Sequence, residues 1–368
     1  MKKISRGTIF VIFVGIFWLG LALLCWVKTP TQISISERRK LAQFPKPELQ
    51  SILSGKFMED FEPYAQDQFP ERFLFRRLKA ITSFYVLANK DNNDIYIENG
   101  YAAKLEYPLR EASVRLALDK FRSIYDSLLK NSDSRIFLSV IPDKGYFLAD
   151  QYGYPSMDYQ RMLELIQSNT EYAEYIDIFE LLEVEDYYHS DIHWKQENLI
   201  KVAERIGASL GCLDQLSFQY DIIEPKLPFY GVYYGQSALP IKPDTIKYLV
   251  NSSIQSSSVY NMETNQTGPV YDTDKLSGRD PYDLYLSGAS AMLVIDNPKA
   301  ETDKELVVFR DSFGSSLVPL LIEGYSKITL IDIRYMASQL ISEYITFEDQ
   351  DVLFLYSTPI LNSAESLK

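Results

Sequence analysis

Histidine and cysteine are nearly missing from this chain: two of each occur in 368 residues. Cys25 lies inside an apolar run, which leaves Cys212 as the single thiol elsewhere. No intramolecular disulfide and no cysteine-built zinc site follow from these positions. An excess of basic charge is also lacking. With 37 Lys and Arg against 50 Asp and Glu, the net charge is −13. That balance argues against a nucleic-acid partner, because neutralising phosphates needs a basic face. An acidic solvated surface is its plain reading. There is no internal repeat and no low-complexity tract, and no cofactor is expected. What is abundant is apolar surface. Hydrophobic residues make up 46% and aromatics 14% of the chain, ample for one large core or two ordinary ones. The 27 tyrosines include many that must be partly wet, as on carbohydrate-binding surfaces, although tyrosine is also an ordinary sheet residue.

The N-terminus carries the clearest physical signal. Thr8 to Val27 runs without a charge, and twenty helical residues span about 30 Å, enough for a bilayer core. Lys2, Lys3 and Arg6 precede the run, so the positive-inside rule keeps residues 1–7 cytoplasmic and places the rest outside. A cleavable signal peptide is the competing reading. Its apolar region is usually about 7–15 residues and ends at small side chains. Here the run ends Leu23-Leu24-Cys25-Trp26-Val27-Lys28, with no such site, and the leucines before Cys25 make a poor lipoprotein signal. An uncleaved anchor over 8–27 is expected, with a single-pass, N-in topology.

Residues 28–50 carry Pro30, Pro45 and Pro47 among charges, the mark of an extended or loosely structured stem. From Leu49 to Asn89 the pattern is helical. Phe57, Phe61 and Tyr64 share one face and need a cover, which the main domain is expected to supply. Residues 28–90 thus read as stem and helical region, and 91–368 as the main domain. Within it, helices are expected over 109–130, 158–168 and 194–210, and strands over 135–141 and 175–179. The Gly-, Pro-, Tyr- and Ser-rich stretch of about 215–290 reads as an irregular, β-rich insertion. Apolar runs at 291–295, 305–309, 327–333 and 351–356 alternate with helical stretches. Such alternation predicts an α/β fold whose mostly parallel sheet is covered by helices on both faces.

Both histidines fall in the run Tyr187-Tyr188-His189-Ser190-Asp191-Ile192-His193-Trp194. Much later, Arg310-Asp311-Ser312-Phe313-Gly314 follows the apolar run Leu306–Phe309 directly. In an open α/β sheet, ligands bind at the carboxyl ends of the strands. Ser312 stands two residues past such a strand, before a helix expected over 313–323 whose N–H groups and dipole would suit an oxyanion. Serine-based acyl chemistry needs a hydroxyl, a base to take its proton and a carboxylate to orient that base. Asp191 and His193 have the residue types for the last two. The plainer alternatives are a helix cap for Ser312, which taken alone is the better explanation, and a buried, hydrogen-bonded imidazole for His193. Asp311 reads as a cap or turn residue. A metal site on His189 and His193, spaced i, i+4, is a weaker option: Ser190 stands where a metalloprotease has glutamate, and no third histidine exists.

Asp191-Ile192-His193-Trp194 followed by Asp311-Ser312-Phe313 resembles the alginate O-acetyltransferase (AlgX/AlgJ-like) branch of the SGNH hydrolases. More closely, the chain resembles the bacterial membrane-anchored DHHW proteins. That resemblance extends to Ser36-Glu37-Arg38-Arg39-Lys40-Leu41-Ala42, to Gly55-Lys56-Phe57 through Asp67-Gln68-Phe69-Pro70, and to Pro142-Asp143-Lys144. Gly231-Val232-Tyr233-Tyr234-Gly235 and Asp280-Pro281-Tyr282-Asp283 belong to it as well. It implies an SGNH-like fold with Ser312 as nucleophile, His193 as base and Asp191 as orienting acid, in the permuted order where Asp-x-His precedes Ser. It further implies an extracytoplasmic O-acetyltransferase acting on a cell-surface polysaccharide, supplied by a polytopic membrane-bound O-acyltransferase. A deacetylating esterase with the same triad, and a non-catalytic polysaccharide-binding or assembly protein, are the rival expectations.

Overall fold

The computed structural model describes residues 5–368. The apolar run forms one helix, Arg6–Val27, whose first turn is capped by Ser5: its Oγ accepts the Thr8 N–H at 3.1 Å. None of its residues is buried. With a mean hydropathy of 2.6 it is long and apolar enough to cross a membrane, a property shared by anchors and signal sequences. Lys2 and Lys3 of the expected cytoplasmic tail lie outside the described residues.

An eight-stranded sheet organises the rest. In chain order its strands are β1 (Arg135–Ile141), β2 (Glu174–Tyr175), β3 (Ser258–Asn261), β4 (Gln266–Pro269), β5 (Met292–Asp296), β6 (Glu305–Arg310), β7 (Lys327–Ile331) and β8 (Asp351–Ser357). Across the sheet they run β4-β3-β5-β7-β6-β8-β1-β2. The five strands from β7 to β2 are parallel, and β5, β3 and β4 close the other edge antiparallel. The apolar runs are continuous because both faces are covered. Leu306, Val308, Leu353 and Leu355 enter one core with Val202, Ile206 and Leu210 of the Ile200–Leu210 helix. Their neighbours Val307, Phe309, Val352 and Phe354 enter a second core with Val114, Leu118 and Phe121 of the Glu111–Ile124 helix and Met162 of Tyr159–Gln167. The period-two alternation of a strand sorts these side chains between the faces. Of the strands in the 215–290 stretch, β3 and β4 extend this sheet, while Asp221–Ile223 and Tyr248–Val250 pair antiparallel as a two-stranded sheet of their own.

Local chemistry trims three expected elements. The strand expected over 175–179 stops at Tyr175, because the Asp177 carboxylate accepts the Phe179 N–H at 3.0 Å and turns the chain. The helix expected from Trp194 begins at Ile200, after a 3-10 turn at Gln196–Asn198. The helix after Ser312 is a single α-turn, Gly314–Leu317, continued as 3-10 over Val318–Gly324. Pro319 lacks the N–H that would extend the α-helical ladder.

The stem also differs from expectation. Ile33–Ser34 pairs antiparallel with Arg39–Lys40 in a short hairpin, tied to the helical region by Arg39 and the Ala42 N–H, both 2.8 Å from Asp67 Oδ2. Phe44 of the stem, rather than the main domain, covers the aromatic face. It packs edge-on against Phe57, Phe61 and Tyr64 at 6.1, 6.0 and 5.2 Å. Edge-on pairs contribute about 0.5–1.5 kcal/mol each. Phe44→Ala is therefore expected to speed amide hydrogen exchange in the Lys56–Asp67 helix while leaving exchange in β6, β8 and β1 unchanged, as read by peptide-level mass spectrometry.

Candidate active site

The turn after β6 and the loop carrying both histidines meet at the carboxyl edge of the parallel strands. The loop is a tight reversal. Tyr187 bridges to Trp194, and the Tyr188 N–H donates to the His193 carbonyl at 3.1 Å. It projects His193 toward Ser312, with Nε2 at 2.8 Å from Oγ. On the other side of the ring, Nδ1 lies 2.6 Å from Asp191 Oδ1. A carboxylate only accepts, so the partners assign the proton to Nδ1 and leave Nε2 to accept from the serine hydroxyl. The three residues expected to act together are thus in one hydrogen-bonded chain. Asp191 and His193 are buried, while Ser312 is partly open to solvent. Ile192, between them, packs its side chain against two apolar clusters.

Asp191 is fully buried and both its oxygens are saturated. Oδ1 takes the ring and backbone N–H of His193, the latter at 3.1 Å. Oδ2 takes the Val232 N–H at 2.8 Å and the Arg38 guanidinium at 3.0 Å. Burial pushes the pKa up, but Arg38, His193 and the Val232 N–H outweigh it and hold Asp191 well below the ordinary carboxylate range. The approach of Val232 requires the glycine before it. A Cβ on Gly231 would fall on the Ser190 carbonyl and Asp191 Cα.

Asp311 is the turn residue its position suggests. Oδ1 accepts the Phe313 N–H at 3.0 Å, and Oδ2 accepts the Ser357 N–H at 2.8 Å and hydroxyl at 2.6 Å, fastening the serine turn to the end of β8. With the Phe313 and Gly314 N–H groups both donating to Asp311, the Ser312 N–H is the donor beside Oγ that has no acceptor among the described residues. Arg310, just upstream, is buried and donates to Ser315 Oγ at 3.1 Å.

A second layer holds the imidazole. Tyr282 stacks on His193 with centroids 3.8 Å apart and planes 8° from parallel. Its hydroxyl donates to Ser316 Oγ at 2.8 Å. Trp194 Nε1 donates to the same Ser316 Oγ at 2.9 Å and to the Phe313 carbonyl at 3.1 Å. The Trp of the loop is therefore a strut between the histidine loop and the serine turn. His189 faces elsewhere. Its Nδ1 and its backbone N–H are each 2.8 Å from Asp244 Oδ1, and its ring stacks on Tyr101 at 4.2 Å. Asp244 Oδ2 also accepts the Ser190 hydroxyl at 2.7 Å, so this carboxylate anchors the loop. Among the described residues, no group of three or more His, Cys, Asp or Glu side chains converges to hold a metal ion.

Lys144, after β1, is buried and donates to the Tyr188 carbonyl at 2.8 Å, and its Nζ stands 5.0 Å above the Tyr233 ring. Burial pulls its amine down to about 7 despite the attraction of Asp191 and Asp244. Arg38, Val232, Tyr282 and Lys144 all lie in segments that carry the DHHW resemblance. Spacing along the chain does not connect them to Asp191 or His193, because they arrive from four separate elements.

No family model matches the chain, and no curated protein sequence does. Solved structures do share its fold. One is a DHHW family protein from Eubacterium siraeum, at 20% identity and TM-score 0.60, the match covering 75% of this chain and 95% of that one. Another is Bacillus cereus PatB1, seen with a sulfonyl adduct, at 16% identity and TM-score 0.58, covering 73% and 95%. The O-acetyltransferase domain of Pseudomonas putida AlgJ is also found, at 12% identity and TM-score 0.46, covering 73% and 92%. The fold is thus that of a DHHW family protein, the group the motifs resemble.

Two outcomes are expected from the supports of this site. Gly231→Ala forces the Asp191 loop away, an overpacking that costs about 1–3 kcal/mol and lowers the urea midpoint accordingly. Lys144→Met removes a pH dependence. Between about 7 and the ordinary 10.5, the unfolded chain binds a proton at Lys144 that the folded chain does not, so stability rises with pH across that window. The stability of the wild type relative to Lys144→Met should therefore increase from pH 7 to pH 10, as urea titrations at the two pH values would read.

Proposed function

We propose that this chain is a serine acyltransferase, anchored by its N-terminal helix with residues 28–368 outside the cytoplasm, that O-acetylates a cell-surface polysaccharide. The observation that carries the reading is the chain Ser312 Oγ–His193 Nε2 at 2.8 Å and His193 Nδ1–Asp191 Oδ1 at 2.6 Å, with the serine as its open end. His193 takes the hydroxyl proton as Oγ attacks the carbonyl carbon of an acyl donor. The donor's bond to the acyl group breaks, and its leaving group collects the proton from His193. A sugar hydroxyl then loses its proton to His193 and attacks the acyl-serine, and Ser312 Oγ departs with that proton. Asp191 stays ionised throughout and stabilises the imidazolium. The Ser312 N–H is placed to meet the developing oxyanion.

The resemblance of the motifs to the alginate O-acetyltransferase branch supports transfer to a sugar over transfer to water. It also supports a polytopic membrane-bound O-acyltransferase as the acyl donor, since cytosolic thioesters do not reach an external domain. PatB1, which has the same fold, accepts a sulfonyl adduct. A sulfonyl fluoride is accordingly a fitting probe of the hydroxyl here.

Phenylmethanesulfonyl fluoride should sulfonylate the full-length protein at Ser312 and not at Ser315 or Ser316, as peptide mapping would show. Labelling should fall toward acid pH, because an imidazolium cannot accept the hydroxyl proton. His193→Ala should slow labelling by about three orders of magnitude or more, and His189→Ala by less than tenfold. In cells, Ser312→Ala should strip O-acetyl groups from surface glycans, measured by mass spectrometry. A gain of acetyl would assign the esterase reaction instead, and unchanged glycans with no labelling of Ser312 would assign a binding or assembly role.

A further inference from the structure

The stem hairpin next to the apolar helix reaches into the site. Arg38 is at its tip, in the left-handed region with φ of 52°, and its side chain is only 7% exposed. Nη1 lies 3.0 Å from Asp191 Oδ2 and 3.1 Å from Asp280 Oδ1. Nη2 donates to the Tyr230 carbonyl at 3.1 Å, and the guanidinium lies 5.0 Å from the Phe229 ring centre. The hairpin backbone is seated as closely as its tip. A Cβ on Gly235 would fall on the Ser36 carbonyl and lie 2.9 Å from Glu37 Cα. Glu37 is gripped by Arg72, by Arg39 at 2.9 Å and by Arg76 at 3.0 Å.

Both carboxylates that Arg38 bridges support His193. Asp191 holds Nδ1. Asp280 Oδ1 accepts the Tyr282 N–H at 3.0 Å and so shapes the turn whose Tyr282 ring lies on the imidazole. We propose that Arg38 is a positioning residue: the stem completes the active site by clamping Asp191 and Asp280 together, which fixes His193 between the carboxylate and the Tyr282 ring. Without Arg38, two neighbouring carboxylates would repel and Asp191 Oδ2 would keep only the Val232 N–H. The proposal rests on the acyl-transfer reading for its catalytic meaning. It also ties the site to the helix end. From Val27 to Arg38 is 38 − 27 = 11 residues, an extended reach of at most about 40 Å, so a seated stem keeps Ser312 near the surface from which a membrane-embedded donor would deliver its acyl group.

The charged groups around the Asp191–His193 pair are Arg38 from the stem, Lys144 from the segment after β1, Asp280 from the Tyr282 turn and Asp311 from the serine turn. Arg38 is the cation in direct contact with Asp191. Its removal eases protonation of His193, so the acid limb of any His193-dependent reaction must move to higher pH.

The test uses full-length wild type, Arg38→Gln, Arg38→Lys and Gly235→Ala, the last displacing the hairpin without altering Arg38. Two readouts are followed against pH: the rate of Ser312 sulfonylation, and the imidazole signals by NMR, which are only two in this chain. Arg38→Gln should slow labelling about 10- to 100-fold and raise both the acid limb and the His193 midpoint by about one unit, with the His189 signal unmoved. Arg38→Lys should recover part of each, and Gly235→Ala should reproduce the shift even if Arg38→Gln fails to fold. Wild-type rate and limb in Arg38→Gln would overturn the proposal, as would a slower rate with an unmoved limb, which would make the stem mere scaffolding. If wild type never labels at Ser312, the acyl-transfer reading fails instead, and the His193 midpoint alone still decides the role of Arg38.

Discussion

The site depends on keeping one negative charge, that of Asp191, in a place with no water. Leaving an ionised carboxylate buried and unpaired costs several kcal/mol, on the order of what a single core residue contributes. Here four donors from three parts of the chain meet its two oxygens: His193 from the loop itself, Val232 from the Gly231 turn and Arg38 from the stem. Each donor is brought by a feature that serves little else. The glycine at 231 makes room for the Val232 amide, the glycine at 235 makes room for the hairpin, and Asp244 closes the loop so that Asp191 and His193 point inward.

Around that charge the imidazole is held in a slot. Tyr282 covers one face, and Trp194 and Ser316 join the two loops, so the ring has little freedom to turn away from Ser312. A base held in its reactive geometry does not have to be ordered at each turnover, which is the larger part of what positioning contributes to rate. The serine turn is equally constrained, since Asp311 bonds both the Phe313 amide and the end of β8. The parallel strands thus act as the frame to which both halves of the site are bolted, and the short α-turn after Ser312 contributes less than a full helix would.

Much of the frame was legible from residue order. Near-continuous apolar runs alternating with helical stretches specify a covered parallel sheet whatever the details, because a strand buried on both faces has no polar side to show. The apolar helix at the N-terminus was legible from its length and its lack of charge from Thr8 to Val27. Boundaries were less so. Asp177 ends a strand early by capturing an amide, and Pro319 converts a helix to 3-10, both local effects that hydropathy does not register. The stem read as loose because prolines and charges dominate it, yet Arg38 is paired with Asp191 and Asp280, and Glu37 and Arg39 with Arg72, Arg76 and Asp67 of the helical region.

Chemistry and scarcity made Asp191, His193 and Ser312 candidates, since with two histidines a hydroxyl after a buried strand has few possible bases, and the resemblance of their motifs to the DHHW proteins gave each its role. Only the tertiary structure decided what surrounds them. It showed that His189 belongs to Asp244, and that Arg38, Val232, Tyr282 and Lys144 converge on the pair. The physical reason is that a catalytic-type residue is recognisable by what its own side chain can do. A supporting residue is recognisable only by what it touches, and contacts between the stem, three loops and the sheet edge are written in the fold rather than in the spacing of the chain.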